Sequence, residues 1–281
     1  MSMSGTEVTP HRLAHWRDSS VRSVLERGTR KNVLANDSGG RMSEKTTAEA
    51  TAPTVSTLSS GFMLDGATYK RGAQLGFSGI DFYFAGRGGV LGDVCGDVVA
   101  SSFVFFSPTQ VSAAWNASRD VLPRPAASAE FAGCMSAWAD AHLDDSVEWA
   151  RLSELAGTVA GSATVAAAPL FAAWRAADVP ADHKQAALHR LNQLRELRMA
   201  RHGAAVVAMG IDPADAVRHR TPQMLGVFGW EGMDVPADVV AAWAEAERLT
   251  NVATDRDYSV LTDAESAEFV TLCAAAQAAA H

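Results

Sequence analysis

Arg195, Arg198 and His202 are spaced i, i+3 and i+7, so one helix would present two guanidinium groups and an imidazole on a single face. Two kinds of chemistry suit such a face. The guanidinium groups can hold an anionic ligand through charge-assisted hydrogen bonds, and His202 can act as an acid or base near neutral pH. A solvated or ion-paired face is the plainer reading and the favoured one. Arg87 offers a further cationic group, set between the aromatic run Asp81-Phe82-Tyr83-Phe84-Ala85 and the pair Gly88-Gly89. Its fixed fork of donors suits it to anchoring a carboxylate in a pocket, although an ion pair with Asp81 or Asp93 accounts for it more simply. Tyr83, Arg87, Phe105, Trp115, Arg198 and His202 are the candidate ligand-binding set, and His202 is the candidate catalytic residue if the pocket is an active site.

Other reactive constellations are missing from the sequence. It contains no HExxH, and His183 and His189 lie at i and i+6, the wrong interval for a chelating pair; no metal site is expected. Cys95, Cys134 and Cys273 are scattered, with no CxxC, so they encode neither a disulfide framework nor a cysteine-rich zinc site. That usage fits a reducing cytoplasm. Gly86-Arg87-Gly88-Gly89-Val90-Leu91-Gly92 matches neither GxxxxGK[ST] nor GxGxxG, which favours a tight, closely packed turn over a phosphate loop. Haem would rest on a lone helical histidine, and the sequence specifies no cofactor. Neither a nucleophile elbow nor a paired-carboxylate site stands out.

The elements that must hold these residues read as mainly helical. The 281 residues are 48% hydrophobic and 20% charged, enough for one large or two small folded domains. No apolar run approaches the roughly 18 uncharged residues of a membrane span. Residues 1–58 read as a disordered extension rich in Arg, Ser, Thr, Ala and Pro. They lack the apolar stretch of a secretion signal, and Met42 is an alternative start of translation. Residues 59–180 read as a helical domain of short packed helices, with Asp81–Ala85 more helix than strand and a helix opening at Ser107-Pro108.

From Asp182 to Met209, Leu188, Leu191, Leu194, Leu197 and Val206 form an apolar stripe between an Asp182 cap and Gly210, the strongest helical pattern in the chain. Further helices open at Asp212-Pro213 and Thr221-Pro222, and a third spans Val235 to Leu249. The β-branched and polar stretch from Thr250 to Val260 reads as a two-stranded wing, and Thr262-Asp263-Ala264-Glu265 as a capping box for a last helix. The expected fold is therefore a mainly α protein: an N-terminal helical bundle packed on a winged helix-turn-helix-like domain, residues 181–281, with a small β-hairpin wing.

Particular motifs resemble a helix-turn-helix protein family of high-GC bacteria. They are Tyr83-Phe84-Ala85-Gly86-Arg87 running through Gly88-Gly89-Val90-Leu91-Gly92-Asp93-Val94, Phe103 to Pro108 with Val111, Leu194-Arg195-Glu196-Leu197-Arg198 leading to His202, and Gly229-Trp230. The resemblance covers residues 60 to about 265 and implies the same two-part architecture, without a reaction to carry over. Where that family often has Gly-Asp-Gly-His, this chain reads Met199-Ala200-Arg201-His202.

Charge argues against a DNA surface. The chain carries a formal charge of −8, with 7 Lys and Arg against 12 Asp and Glu in residues 56–180 and 9 against 14 in residues 181–281. Phosphate backbones are repelled by such a balance unless cations cluster. The helix before the wing carries Asp238, Glu245 and Glu247 against Arg248 alone, and Arg218-His219-Arg220 is the only basic cluster near it, too small for the phosphate contacts of an operator binder. The expected function is thus a regulator-like protein that binds a small molecule in an interdomain pocket and has little DNA affinity. Two alternatives stay open, an enzyme using His202 as acid or base in that pocket and a sequence-specific DNA-binding regulator. An interaction or scaffold protein that forms a homodimer through its Ala/Trp-rich amphipathic helices is a further reading, and no membrane contact is expected.

Overall fold

The structure is a computed structural model that describes residues 45–232 and 237–281. Residues 45–281 form one compact unit, and the described residues form thirteen α-helices joined by short 3-10 turns. In chain order these are α1 (Thr47–Gly61), α2 (Gly66–Leu75), α3 (Asp81–Gly88), α4 (Gly96–Ser102), α5 (Pro108–Ala117), α6 (Arg124–His142), α7 (Trp149–Ser162), α8 (Pro169–Ala176), α9 (His183–Ala208), α10 (Pro213–Arg220), α11 (Leu225–Phe228), α12 (Ala237–Tyr258) and α13 (Asp263–Ala278).

The hub is α9. Asp182 caps it by accepting from the backbone N–H groups of Lys184 and Gln185, both at 3.0 Å, and Gly210 ends it in the left-handed region at φ 72°, where glycine has no Cβ penalty. Its leucines at 188, 191, 194 and 197 are sealed, and Asn192, Gln193 and Glu196 on other faces are equally buried. A helix buried nearly all round must have neighbours on every side, and α9 packs against α1, α6, α7, α8 and α12.

Two expectations fail. The expected β-hairpin wing does not exist: residues 250–258 continue α12 as helix, and no strand occurs among the described residues, only an isolated bridge between Leu143 and Ala280. Ala246, Thr250, Thr254 and Tyr258 recur every four residues and are all buried. The two threonines turn their hydroxyls back onto the carbonyls of Ala246 and Thr250, both at 2.7 Å, which satisfies them inside a helix despite their β-branching. The polar residues that suggested a hairpin loop serve tertiary contacts instead: Asn251 joins Glu49 and Arg198, and Asp257 pairs with Arg201 at 3.0 Å.

The second failure lies within the expected disordered extension, whose end at residues 47–58 is helix α1. A capping box between Thr46 and Glu49 opens it. Ala48, Thr51, Val55 and Leu58 then fall on one face and are buried, so tertiary burial outweighs the low-complexity composition. Residues 1–44 of that extension, including Met42, lie outside the described residues.

Buried apolar side chains fall into two clusters. The larger draws on helices from α1 to α13; the smaller, around Ala205, Val206, Ile211, Ala216, Val239 and Ala246, is joined by Phe105 and Trp243. Along the seam between them the chain from 103 to 107 is stitched to α11: Ser107 N–H donates to Phe228 O at 2.7 Å, Trp230 Nε1 to Phe105 O at 2.8 Å and Gln110 Nε2 to Val227 O at 3.3 Å. Gly229 permits this approach. Its φ is 74°, and a Cβ there would lie 2.1 Å from Gln110 Oε1.

Candidate functional site

A cavity of about 460 Å³ opens on this seam, within the size range of small-molecule sites. Phe103, Phe105, Phe106, Met63, Met224 and Phe228 supply apolar wall. Arg195, Met199 and His202 line it from α9, Tyr83 and Arg87 from α3, Ala216 and Arg220 from α10, and Trp243 and Glu247 from α12. The stretch between Ser102 and Ser107 owes its place here to the Phe103, Phe105 and Phe106 rings, which pack to opposite sides of the seam.

At one end stands a buried charge cluster. Arg87 grips Glu196 with two parallel bonds, Nε to Oε1 at 2.7 Å and Nη2 to Oε2 at 2.8 Å, and donates through Nη1 to the Tyr83 hydroxyl at 2.8 Å. Its guanidinium also lies 4.4 Å from the centre of the Phe103 ring. The side chains of Arg87 and Glu196 are only 5% and 1% exposed, which makes this the fork-to-fork geometry a desolvated pair requires. Burial alone would raise the Glu196 carboxyl, but Arg87 and then Arg195 overcome it and hold the group below its ordinary range. The expected partners of Arg87, Asp81 and Asp93, are therefore replaced by a residue on α9, and Asp93 instead approaches Arg119 at 3.6 Å.

Arg195 shares the same carboxylate through Nη1 to Oε1 at 3.0 Å. Two guanidinium charges thus face one carboxylate, and the excess positive charge belongs to Arg195, which lines the cavity.

At the other end, His202 sits between the rings of Phe105 and Trp243, with centroids 5.3 and 5.2 Å away. Its Nδ1 lies 3.0 Å from Thr250 Oγ1 and its Nε2 3.9 Å from Glu247 Oε1, the latter beyond hydrogen-bond reach. Burial pushes the imidazole below its ordinary range; Glu247 opposes this, while Arg198 and Arg220 add to it. The larger effect is burial, which holds the His202 ring toward its uncharged form.

Of the six candidate residues, Tyr83, Arg87, Phe105 and His202 meet at the cavity, whereas Trp115 and Arg198 do not line it. Trp115 is sealed in the core, donating from Nε1 to Val94 O at 2.8 Å under the Arg124 guanidinium, 3.6 Å from its ring centre. Arg198 leans off the flank of the α9 face onto α12, donating to Asn251 Oδ1 at 2.8 Å. Arg195 and Met199 take its place, because positions i, i+4 and i+7 follow a helical face more closely than i+3. Trp243 and Glu247 had no local signal, since α12 read there only as an acidic helix.

The glycine run forms the end of α3 and the turn after it. A Cβ on Gly86 would sit 2.6 Å from Phe131, and one on Gly89 would sit 2.4 Å from the Arg124 carbonyl, so close helix packing requires these glycines. Among the described residues no cluster of His, Cys, Asp or Glu could hold a metal ion, and no helix is long and apolar enough to cross a membrane. The basic cluster expected for nucleic acid is largely committed: Arg218 donates to Asp215 Oδ1 at 2.6 Å and to Glu231 O, His219 packs near Trp243, and Arg220 lies at the cavity.

A helix-turn-helix family model matches residues 48–234. The chain belongs to this helix-turn-helix family. No curated protein and no solved structure matches it.

Proposed function

We propose that the protein is a regulator-like member of this family that binds a small, largely apolar molecule carrying one anionic group in the cavity between α3, α9, α10 and α12. The observation that carries this reading is the unbalanced charge at the cavity end: Arg87 and Arg195 against Glu196 alone, inside an aromatic wall. Such a site attracts an anion and excludes much of the water that would screen it. Titration with 8-anilinonaphthalene-1-sulfonate, an apolar fluorescent anion, tests it. Fluorescence should rise on saturable binding, Met199→Trp should abolish the rise by filling the cavity, and Arg195→Met should weaken binding roughly tenfold. A titration unchanged by both substitutions contradicts the reading.

A second reading, binding of DNA, is favoured by the family membership. Its test is binding to duplex DNA across a salt series: phosphate contacts make affinity fall steeply with salt, whereas the acidic surface of α12 and the engaged Arg218 lead us to expect no binding at physiological salt.

A further inference from the structure

We infer that the cavity is chemically polarised and selects an apolar molecule with an acid group at one end and a hydroxyl or amine donor at the other; this rests on the ligand-binding reading above. The Thr250 hydroxyl is buried and donates to the Ala246 carbonyl at 2.7 Å. Its single hydrogen is thereby committed, and its oxygen can only accept from His202 Nδ1 at 3.0 Å. His202 is held as the Nδ1–H tautomer, with an unprotonated Nε2 on the opposite edge of the ring.

That Nε2 faces Glu247 at 3.9 Å, and Glu247 lines the cavity. A lone pair and a carboxylate thus confront each other with no donor between them. These two acceptors suit a ligand donor placed between them: an amine can donate to both, a hydroxyl to one of them. The charged groups facing His202 are Glu247, Arg198 and Arg220; Arg198 is engaged with Asn251 and approaches Glu247 at 3.9 Å, and Arg220 is exposed.

The opposite end has the reverse character. Arg195 contributes one Nη1 bond to Glu196, and its Nε and Nη2 meet no protein acceptor among the described residues. The Tyr83 hydroxyl, which accepts from Arg87, lines the cavity with it. Arg195 and His202 are separated by seven residues, about 10.5 Å along the helix axis. Met199 lies between them on the same face, and the aromatic wall spans the gap. The ligand class is an apolar chain or ring system with carboxylate and donor about that far apart.

Calorimetric titration of the full chain with 8-hydroxyoctanoate, octanoate and 1,8-octanediol tests this. 8-Hydroxyoctanoate should bind at least about tenfold more tightly than either analogue, because each analogue leaves one end unpaired. His202→Phe should erase its advantage over octanoate while octanoate still binds, and Arg195→Met should erase its advantage over the diol. Thr250→Val leaves the imidazole in place but removes the acceptor that sets its tautomer, so it should reduce the hydroxyl preference and leave octanoate affinity unchanged; this variant decides the matter if His202→Phe does not fold. Equal binding of octanoate and 8-hydroxyoctanoate, with Arg195 still required, overturns the polarity and leaves the anion cavity standing. Loss of carboxylate preference in Arg220→Met and not in Arg195→Met overturns the assigned orientation. If none of the three binds while 8-anilinonaphthalene-1-sulfonate does, the polarity is overturned alone; if that probe also fails to bind, the cavity reading falls with it.

Discussion

Two histidines on α9 make an informative pair. His189, in the first half of the helix, is 1% exposed, and its Nε2 has no hydrogen-bond partner. Its neighbour Asn192 is equally sealed, with both side-chain polar atoms unpartnered. Burial, helped by Arg190, drives the His189 imidazole down to about 4. His202, two turns past the Glu196 cluster, is also lowered by burial, but its Nδ1 is held by Thr250 and its ring borders a cavity. A depressed pKa therefore does not distinguish a site from a core. What separates the two is access: one lone pair is walled in, and the other faces space large enough for a molecule.

The comparison can be broken first at the joint between its halves. Glu196→Ala would leave Arg87 buried without its carboxylate and should cost about 3–5 kcal/mol of folding stability, read as a lower denaturant midpoint. A loss under about 1 kcal/mol would mean that the pair is open to water.

A pH series sharpens the contrast next. The folded His189 value near 4 lies below the unfolded value of about 6.5, so the unfolded chain takes up the proton first. Its contribution is fully present above pH 6.5 and is lost as pH falls toward 4, by about 3 kcal/mol. His202 contributes with the same sign. Stability measured in His189→Gln should fall less over that window; an identical slope would show that His189 is not sealed.

Smaller effects follow at the cavity. His202→Phe should change stability by about 1 kcal/mol or less, since an aromatic ring still fills the space between Phe105 and Trp243, whereas the same change at His189 should be costlier because the core there has no room to adjust. The least effect is expected from Arg198→Met: a stability change within about 1 kcal/mol and unchanged affinity for 8-anilinonaphthalene-1-sulfonate. Loss of that affinity would return Arg198 to the cavity.

Sequence patterns foretold these regions unequally. The limits of α9 were legible because cap, leucine stripe and terminal glycine all lie within the element itself. So were the opening of α10 at Asp212-Pro213 and the capping box of α13. The wing was misread because Thr250, Val252 and Thr254 favour strands locally, while the deciding spacing, Ala246 to Thr250 to Thr254 to Tyr258, matters only once the face is covered by α1 and α9. Helix α1 was hidden for the same reason, its buried face being set among Thr, Ser and Ala.

At the site, residue type pointed to Arg87 and His202, but pairing was out of reach. Glu196 lies 109 residues from Arg87 in sequence, and Glu247 and Trp243 belong to a helix that showed only its acidity. Arg195 was visible as part of a cationic stripe. That it, rather than Arg198, enters the cavity depends on where α12 packs, and no single-helix pattern carries that information.

The most direct test of the polarised cavity is a two-dimensional ¹⁵N spectrum of the histidine side chains at neutral pH, recorded before and after addition of 8-hydroxyoctanoate. His202 is expected as the Nδ1–H tautomer with an unprotonated Nε2 whose resonance moves on addition, while His189 stays still. A His202 protonated at Nε2 in the free protein, or one whose Nε2 resonance ignores the ligand, would contradict it.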